Sequence, residues 1–245
     1  MSPLALSEAH VARATRAVDV PLHDPRWHEL TDADLQALAA RITRDRPRPI
    51  PVFAYGSLIW NPGFAVAARR RAVAHGWHRS FCLGLDHWRG SPDCPGLMLA
   101  IESGGACEGL LMEIAPEGDD EALKVLLKRE LVAHELGDNY RWIEVETDRG
   151  TEAALTFYAD PVMPNVVHLP LAEQAWRMAH ACGPAGSCAE YLHRTAQALA
   201  GHGLNDPYIA ELERLTAAEI ASWPSEAPPI TPQSERRAMM LVRSS

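Results

Sequence analysis

From Ile50 to about residue 160, apolar positions come in short runs broken by turn residues, and after Pro164 they recur at helical spacing. "IPVFAY" is the first predicted strand. "RAVAHGWHRSFCLGL" reads as one or two more, broken near Gly76. "GLMLAI" and "CEGLLMEI" flank Glu102-Ser103-Gly104-Gly105, which predicts a hairpin. Both faces of "LMLAI" are apolar, so this strand is expected to be buried on both sides. "RWIEVET" and "AALTFYA" flank Asp148-Arg149-Gly150, a second hairpin, and the alternation of the first places one of its faces in solvent. One helix interrupts the strands, "DDEALKVLLKRELVAHEL", with Asp119 or Asp120 as its cap. Three more follow in "LAEQAWRMAHA", "SCAEYLHRTAQALAGH" and "DPYIAELERLTAAEIASW". Strands first and helices later predict an α+β fold.

The flanks differ from this centre. Thr31 is placed to cap a helix through "DADLQALAARITR", acidic at its start and ending in arginines, before Pro47, Pro49 and Pro51 stop it. Residues 1–48 therefore read as a helical extension that covers or packs on a domain at 49–223. From Pro224 to residue 245 the chain is Pro-rich without periodicity and reads as a loose tail.

Composition narrows the partners. The 245 residues are 47% hydrophobic, enough for one well-cored domain. The net charge of -9 and the lack of any basic block beyond Arg69-Arg70-Arg71 argue against nucleic acid. No apolar run reaches the roughly 18 residues of a membrane span. The first residues carry charges and a His where a signal peptide needs an apolar core. Five cysteines, an odd number with no CxxC pair, point to reduced thiols in a cytoplasm-like compartment.

The sharpest chemical anomaly is Glu130. The helix near residue 120 has an apolar stripe of Leu123, Leu126, Leu127 and Leu131, and helical spacing puts Glu130 on it. Lys128 lies about 200° away around the helix and is no obvious partner. A carboxylate among apolar groups holds its proton more tightly than usual and is suited to accept and return one near neutral pH. The alternative is a carboxylate that reaches the edge of the stripe, or one paired with Arg129 or His134. A second candidate is Tyr55-Gly56-Ser57-Leu58, where a strand end meets a Gly-Ser turn. Glycine permits close approach, and clustered N–H groups bind carboxylates or developing oxyanions. The alternative is an ordinary turn capped by Ser57. Neither a G-x-S-x-G elbow nor a phosphate loop is present. "HGWHRSFC" places His75, His78 and Cys82 close together; in a strand His78 and Cys82 share a face, yet no fourth metal ligand stands nearby, so packing is the preferred reading over a thiol nucleophile or zinc.

Together, "VFAYGSLIWNPGF", "GWHRSFCL", "RGSPDCPGLMLAIESGGACEGLLMEI", "LLKRELV", "FYADP", "ACGPAGSCAEYL" and "GLNDPYIAELERL" resemble the ChaC-type, glutathione-specific γ-glutamylcyclotransferase family over about residues 50–215. The resemblance implies a small mixed β-barrel with flanking helices and a cavity at one end. It implies release of 5-oxoproline from glutathione, a small-molecule substrate, with no metal or organic cofactor. By position, the catalytic Glu of the family falls on Glu130 and its substrate loop on Ala54, Tyr55, Gly56, Ser57, Leu58 and Ile59. Tyr191, in "EYL", is either a pocket hydroxyl or a helix-core tyrosine. This chain departs from the family in having Ala54 where Gly is usual, Cys188 where Asn is usual, and a longer connection after Glu130.

Overall fold

The computed structural model describes residues 5–46, 48–116 and 118–224; the predicted tail beyond Pro224, and Pro47, lie outside the described residues. In chain order the elements are α1 (Glu8–Ala14), α2 (Asp32–Thr43), β1 (Pro51–Ala54), α3 (Ser57–Trp60), β2 (Val66–Leu85), β3 (Gly96–Ile114), α4 (Asp119–Glu130), β4 (Tyr140–Thr147), β5 (Gly150–Phe157), α5 (Leu171–His180), β6 (Cys182–Gly183), β7 (Gly186–Ser187), α6 (Cys188–Gly201) and α7 (Pro207–Ala221). Strands β1 to β5 close a barrel in the order β1-β3-β2-β4-β5, and β5 returns to β1 in parallel through Val52 and Leu155. The fold is a mixed barrel with helices around it, the α+β class expected.

One expected hairpin is absent. "GLMLAI" and "CEGLLMEI" form a single strand, β3, which runs antiparallel to β2 along almost its whole length. The register passes from His75↔Ala106 to Trp77↔Ser103, so Gly76 on one strand faces Gly104 and Gly105 on the other. All three glycines have positive φ, 81°, 114° and 70°. Two residues opposing one is a β-bulge, and it bends both strands together. Glycines that signal a turn in isolation serve here to curve a long ribbon, which a small closed barrel needs. The second hairpin forms as expected, with Thr147 paired to Gly150 and with Ile143 and Val145 inward between exposed Glu144 and Glu146. Strand β3 is buried on both faces from Leu99 to Ile101.

The two faces of β1 serve two packing layers. Phe53 points inward with Ala72, Ala74, Ile101, Cys107, Leu111, Ile143, Val145 and Ala154, a cluster drawn from all five barrel strands. Val52 and Ala54 point outward into the larger core shared with the helices. Gly109 lets β1 and β3 approach: a Cβ there would stand 2.6 Å from the Ala54 carbonyl and 2.7 Å from the Phe53 ring.

The N-terminal segment belongs to the same core. Leu6, Ala14, Leu35, Leu38, Ala39 and Ile42 are buried in the larger cluster. Thr31 caps α2 as expected, in a reciprocal box with Asp34. Helix α4 begins after Gly118, in the left-handed conformation at φ 75°, so glycine rather than Asp119 or Asp120 occupies the cap position. The same helix ends at Glu130, earlier than the periodicity suggests, and His134–Leu136 is a separate 3-10 turn. There the His134 amide donates to the His28 carbonyl at 2.8 Å, while His28 contacts Glu135 and Arg41 contacts Asp138. The longer connection after Glu130 is thus clasped by the N-terminal segment.

Candidate active site

The turn after β1 is built to bring backbone close to side chains. At Gly56 a Cβ would lie 3.1 Å from Leu99 Cδ2 and 3.7 Å from the Tyr191 hydroxyl. The run Leu58-Ile59-Trp60 lies in the short helix α3. Its side chains Leu58 and Ile59 are buried in the core, as is Ala54, so these residues offer a ligand only their backbone. The Ile59 amide is spent on the Gly56 carbonyl at 2.9 Å. Among the described residues, the amides of Gly56, Ser57 and Leu58 make no hydrogen bond to protein. First-turn N–H groups have no intrahelical acceptor and suit an anionic or polarised oxygen.

Glu130 stands at the end of α4, with Leu123, Leu126, Leu127 and Leu131 fully buried around it. Its side chain is 19% exposed. Burial raises its pKa above the ordinary glutamate value, and the neighbouring Arg129 charge and hydrogen bond only partly oppose this. The two sequence readings of Glu130 are therefore both realised: it is a carboxylate on the apolar stripe and also Arg129's partner, Nε to Oε1 at 3.1 Å. Arg129 Nη2 also donates to the Ser57 hydroxyl at 2.8 Å, and Nη1 donates to the Asn61 carbonyl.

Tyr191 arrives from α6, buried, edge-on to Trp60 and Phe81 at 6.1 and 6.0 Å. Burial, with the Glu130 charge next, pushes its pKa up to about 12, against a hydrogen bond with the Ser57 side chain. Tyr55 is raised well above the ordinary tyrosine value by the same two causes in the same order. Glu130, Tyr55, Tyr191 and Ser57 thus share one electrostatic neighbourhood. Both phenols stay protonated near neutral pH and can donate hydrogen bonds.

Two arginines that the sequence did not single out frame this site. Arg79, on β2, is buried; Nε donates to the Tyr55 carbonyl at 2.7 Å, Nη1 to Asp206 Oδ2 at 2.8 Å, and Nη2 to the Glu108 carbonyl. Asp206 also caps α7 through the Tyr208 and Ile209 amides. Arg89 donates to the Ser187 carbonyl and to Glu190 at 2.9 and 3.0 Å and lies 5.5 Å from the Tyr191 ring centre. Cys188 directs its thiol to the Arg89 carbonyl at 3.2 Å. An arginine inside an apolar strand pattern was the available signal for Arg79; its three acceptors come from distant segments and leave no local trace.

The thiol and metal alternatives do not assemble. Cys82 is buried under Ala159 and Val166, and burial pushes its pKa up to about 12. His78 is exposed and contacts the Gly104 carbonyl, and His75 contacts Glu146. A metal-sized cluster of Asp24, Asp86 and His87 exists, but the Arg26 guanidinium already bridges its two aspartates. Cys82→Ser is expected to keep kcat/KM within about twofold, since a protonated buried thiol is no nucleophile. A loss beyond tenfold in a folded variant would reinstate a thiol mechanism.

Known proteins share this fold and resemble this sequence. A family model described as ChaC-like protein matches residues 50–219. The glutathione-specific gamma-glutamylcyclotransferase of Escherichia coli K12 is 34% identical over 179 residues, covering 72% of this chain and 77% of that protein. The glutathione-specific gamma-glutamylcyclotransferase 1 of Rattus norvegicus is 31% identical over 193 residues, covering 74% and 85% respectively. The crystal structure of a yeast γ-glutamyl cyclotransferase specific to glutathione shares the fold, with a TM-score of 0.62 at 22% identity, over 69% of this chain and 96% of that one. With the family model matched over residues 50–219 and a relative 34% identical over most of its length, this chain belongs to the ChaC-like family.

Proposed function

We propose that this protein is a γ-glutamylcyclotransferase that degrades glutathione to 5-oxoproline and Cys-Gly. The observation that carries the reading is the Glu130 carboxylate, held in an apolar setting and linked through Arg129 to the Ser57 turn. The substrate carries its own nucleophile, the α-amine of the γ-glutamyl group. Folding that group until the amine meets the γ-carbonyl closes a five-membered ring. Orientation of an intramolecular attack supplies roughly 7–11 kcal/mol of a barrier. Glu130 accepts a proton from the amine as the new C–N bond forms, then delivers it to the departing amide nitrogen as the old C–N bond breaks. Amides in the Tyr55-to-Leu58 turn grip the glutamyl group or its developing oxyanion. The phenols of Tyr55 and Tyr191, kept protonated, supply further donors.

The catalytic unit is assigned to residues 49–223, with the N-terminal helices as a brace. Five buried, free cysteines suit a reducing, cytoplasm-like compartment. The test is 5-oxoproline release by purified protein from glutathione, oxidised glutathione and γ-glutamyl dipeptides in parallel. Preference for glutathione supports the reading. Turnover confined to another γ-glutamyl compound would move the substrate, and calorimetric binding of glutathione without turnover would make the protein a binder on the same scaffold.

A further inference from the structure

We propose that Arg129 is a positioning residue that locks the base to the substrate loop, its single guanidinium joining the Glu130 carboxylate, the Ser57 hydroxyl and the Asn61 carbonyl. The inference rests on the reading of Glu130 as acid/base. Three different nitrogens serve three partners: Nε at 3.1 Å from Glu130 Oε1, Nη2 at 2.8 Å from Ser57 Oγ, and Nη1 on the Asn61 oxygen. Consecutive residues on a helix ordinarily diverge; here the arginine stem turns back on its neighbour at the last helical position. Gly63, at φ 76°, carries the chain past the same guanidinium, since a Cβ there would lie 3.7 Å from Nη1. The fork therefore closes both ends of the turn around α3. A lysine has one nitrogen and cannot reproduce three divergent bonds.

The contact also bears on the charge of the base. The groups that face Glu130 are Arg129 from its own helix, Tyr55 from the β1–α3 turn and Tyr191 from α6. Both phenols are neutral near pH 7, so Arg129 is the cation among them that opposes the effect of burial. It holds Oε1 and favours the ionised form, the form that a cycle beginning with proton acceptance needs.

The experiment compares wild type, Arg129→Met and Arg129→Lys in two readouts. One is kcat and KM for 5-oxoproline release across pH. The other is the NMR titration of the Glu130 carboxyl carbon, assigned by its loss in Glu130→Gln. In Arg129→Met the acid limb of kcat/KM and the carboxyl midpoint are both expected to move up by about 1–3 pH units, as removal of a cation at contact distance requires. In Arg129→Lys both should stay near wild type while KM rises severalfold, because the loop loses its fork. A midpoint unmoved in Arg129→Met, or an unchanged KM in Arg129→Lys, overturns the proposal. If wild type released no 5-oxoproline, the proposed function would fall, and the carboxyl titration would still decide the role of Arg129.

Discussion

Glu130→Gln is expected to lower kcat/KM for 5-oxoproline release by about 10²–10⁴, the usual contribution of a positioned acid/base. The amide is nearly isosteric and can still accept from Arg129, so the turn and the apolar stripe should keep their places. It can no longer take a proton from the attacking amine. The sign of the pH dependence follows from burial. The folded pKa of Glu130 is raised, so the stability this group contributes is present at low pH and is lost as pH rises through that value. A glutamine carries no such penalty. The variant should therefore be no less stable than wild type near neutral pH, and the gap in its favour should widen from pH 5 to pH 8. Thermal melts at both pH values, with the 5-oxoproline assay, check the pair of expectations. Activity within tenfold of wild type in a folded variant would remove Glu130 from the mechanism. Wild-type activity itself should fall on the acid side at a pH above the ordinary glutamate range, because the ionised carboxylate starts the cycle.

Arg79→Met carries the largest expected effect on stability. The Arg79 side chain is 1% exposed and its partner Asp206 is 14% exposed. Methionine fills similar space but supplies no donor. It leaves a largely buried carboxylate unpaired and takes a hydrogen bond from each of the Tyr55 and Glu108 carbonyls. Removing one partner of such a buried pair costs about 3–5 kcal/mol. Urea unfolding should report a loss of this size, and a loss under about 1 kcal/mol would show that the network is relaxed or water-filled. Because the Tyr55 carbonyl lies one residue before Gly56, activity should fall even at temperatures where the variant stays folded. Asp206→Asn is the informative companion. Its amide oxygen can still cap α7, so it should cost less than Arg79→Met while sharing the loss of the ion pair.

These effects sort by how local their causes are. The Thr31 cap of α2, the apolar stripe of α4 and the alternation in β4 were all legible, since each depends on residues within one or two turns. Glu130 stood out for the same reason, as a charged side chain on an otherwise apolar stripe. The Glu102-to-Gly105 segment misled because a glycine pair that turns an isolated chain can equally bend a strand whose partner supplies a facing Gly76. The end of α4 was misplaced because the His28 carbonyl, more than a hundred residues away, captures the His134 amide.

The sequence by itself determined which groups are available: a glutamate on an apolar stripe, a glycine turn at a strand end, and an α+β alternation of elements. It did so because periodicity and turn chemistry are set by near neighbours. Only the tertiary structure decided that Arg129 ties Glu130 to Ser57, that Arg79 holds the Tyr55 carbonyl, and that Tyr191 lies over Gly56. Those contacts join segments tens to more than a hundred residues apart. Their geometry exists only once the barrel has closed and α6 has packed against α3.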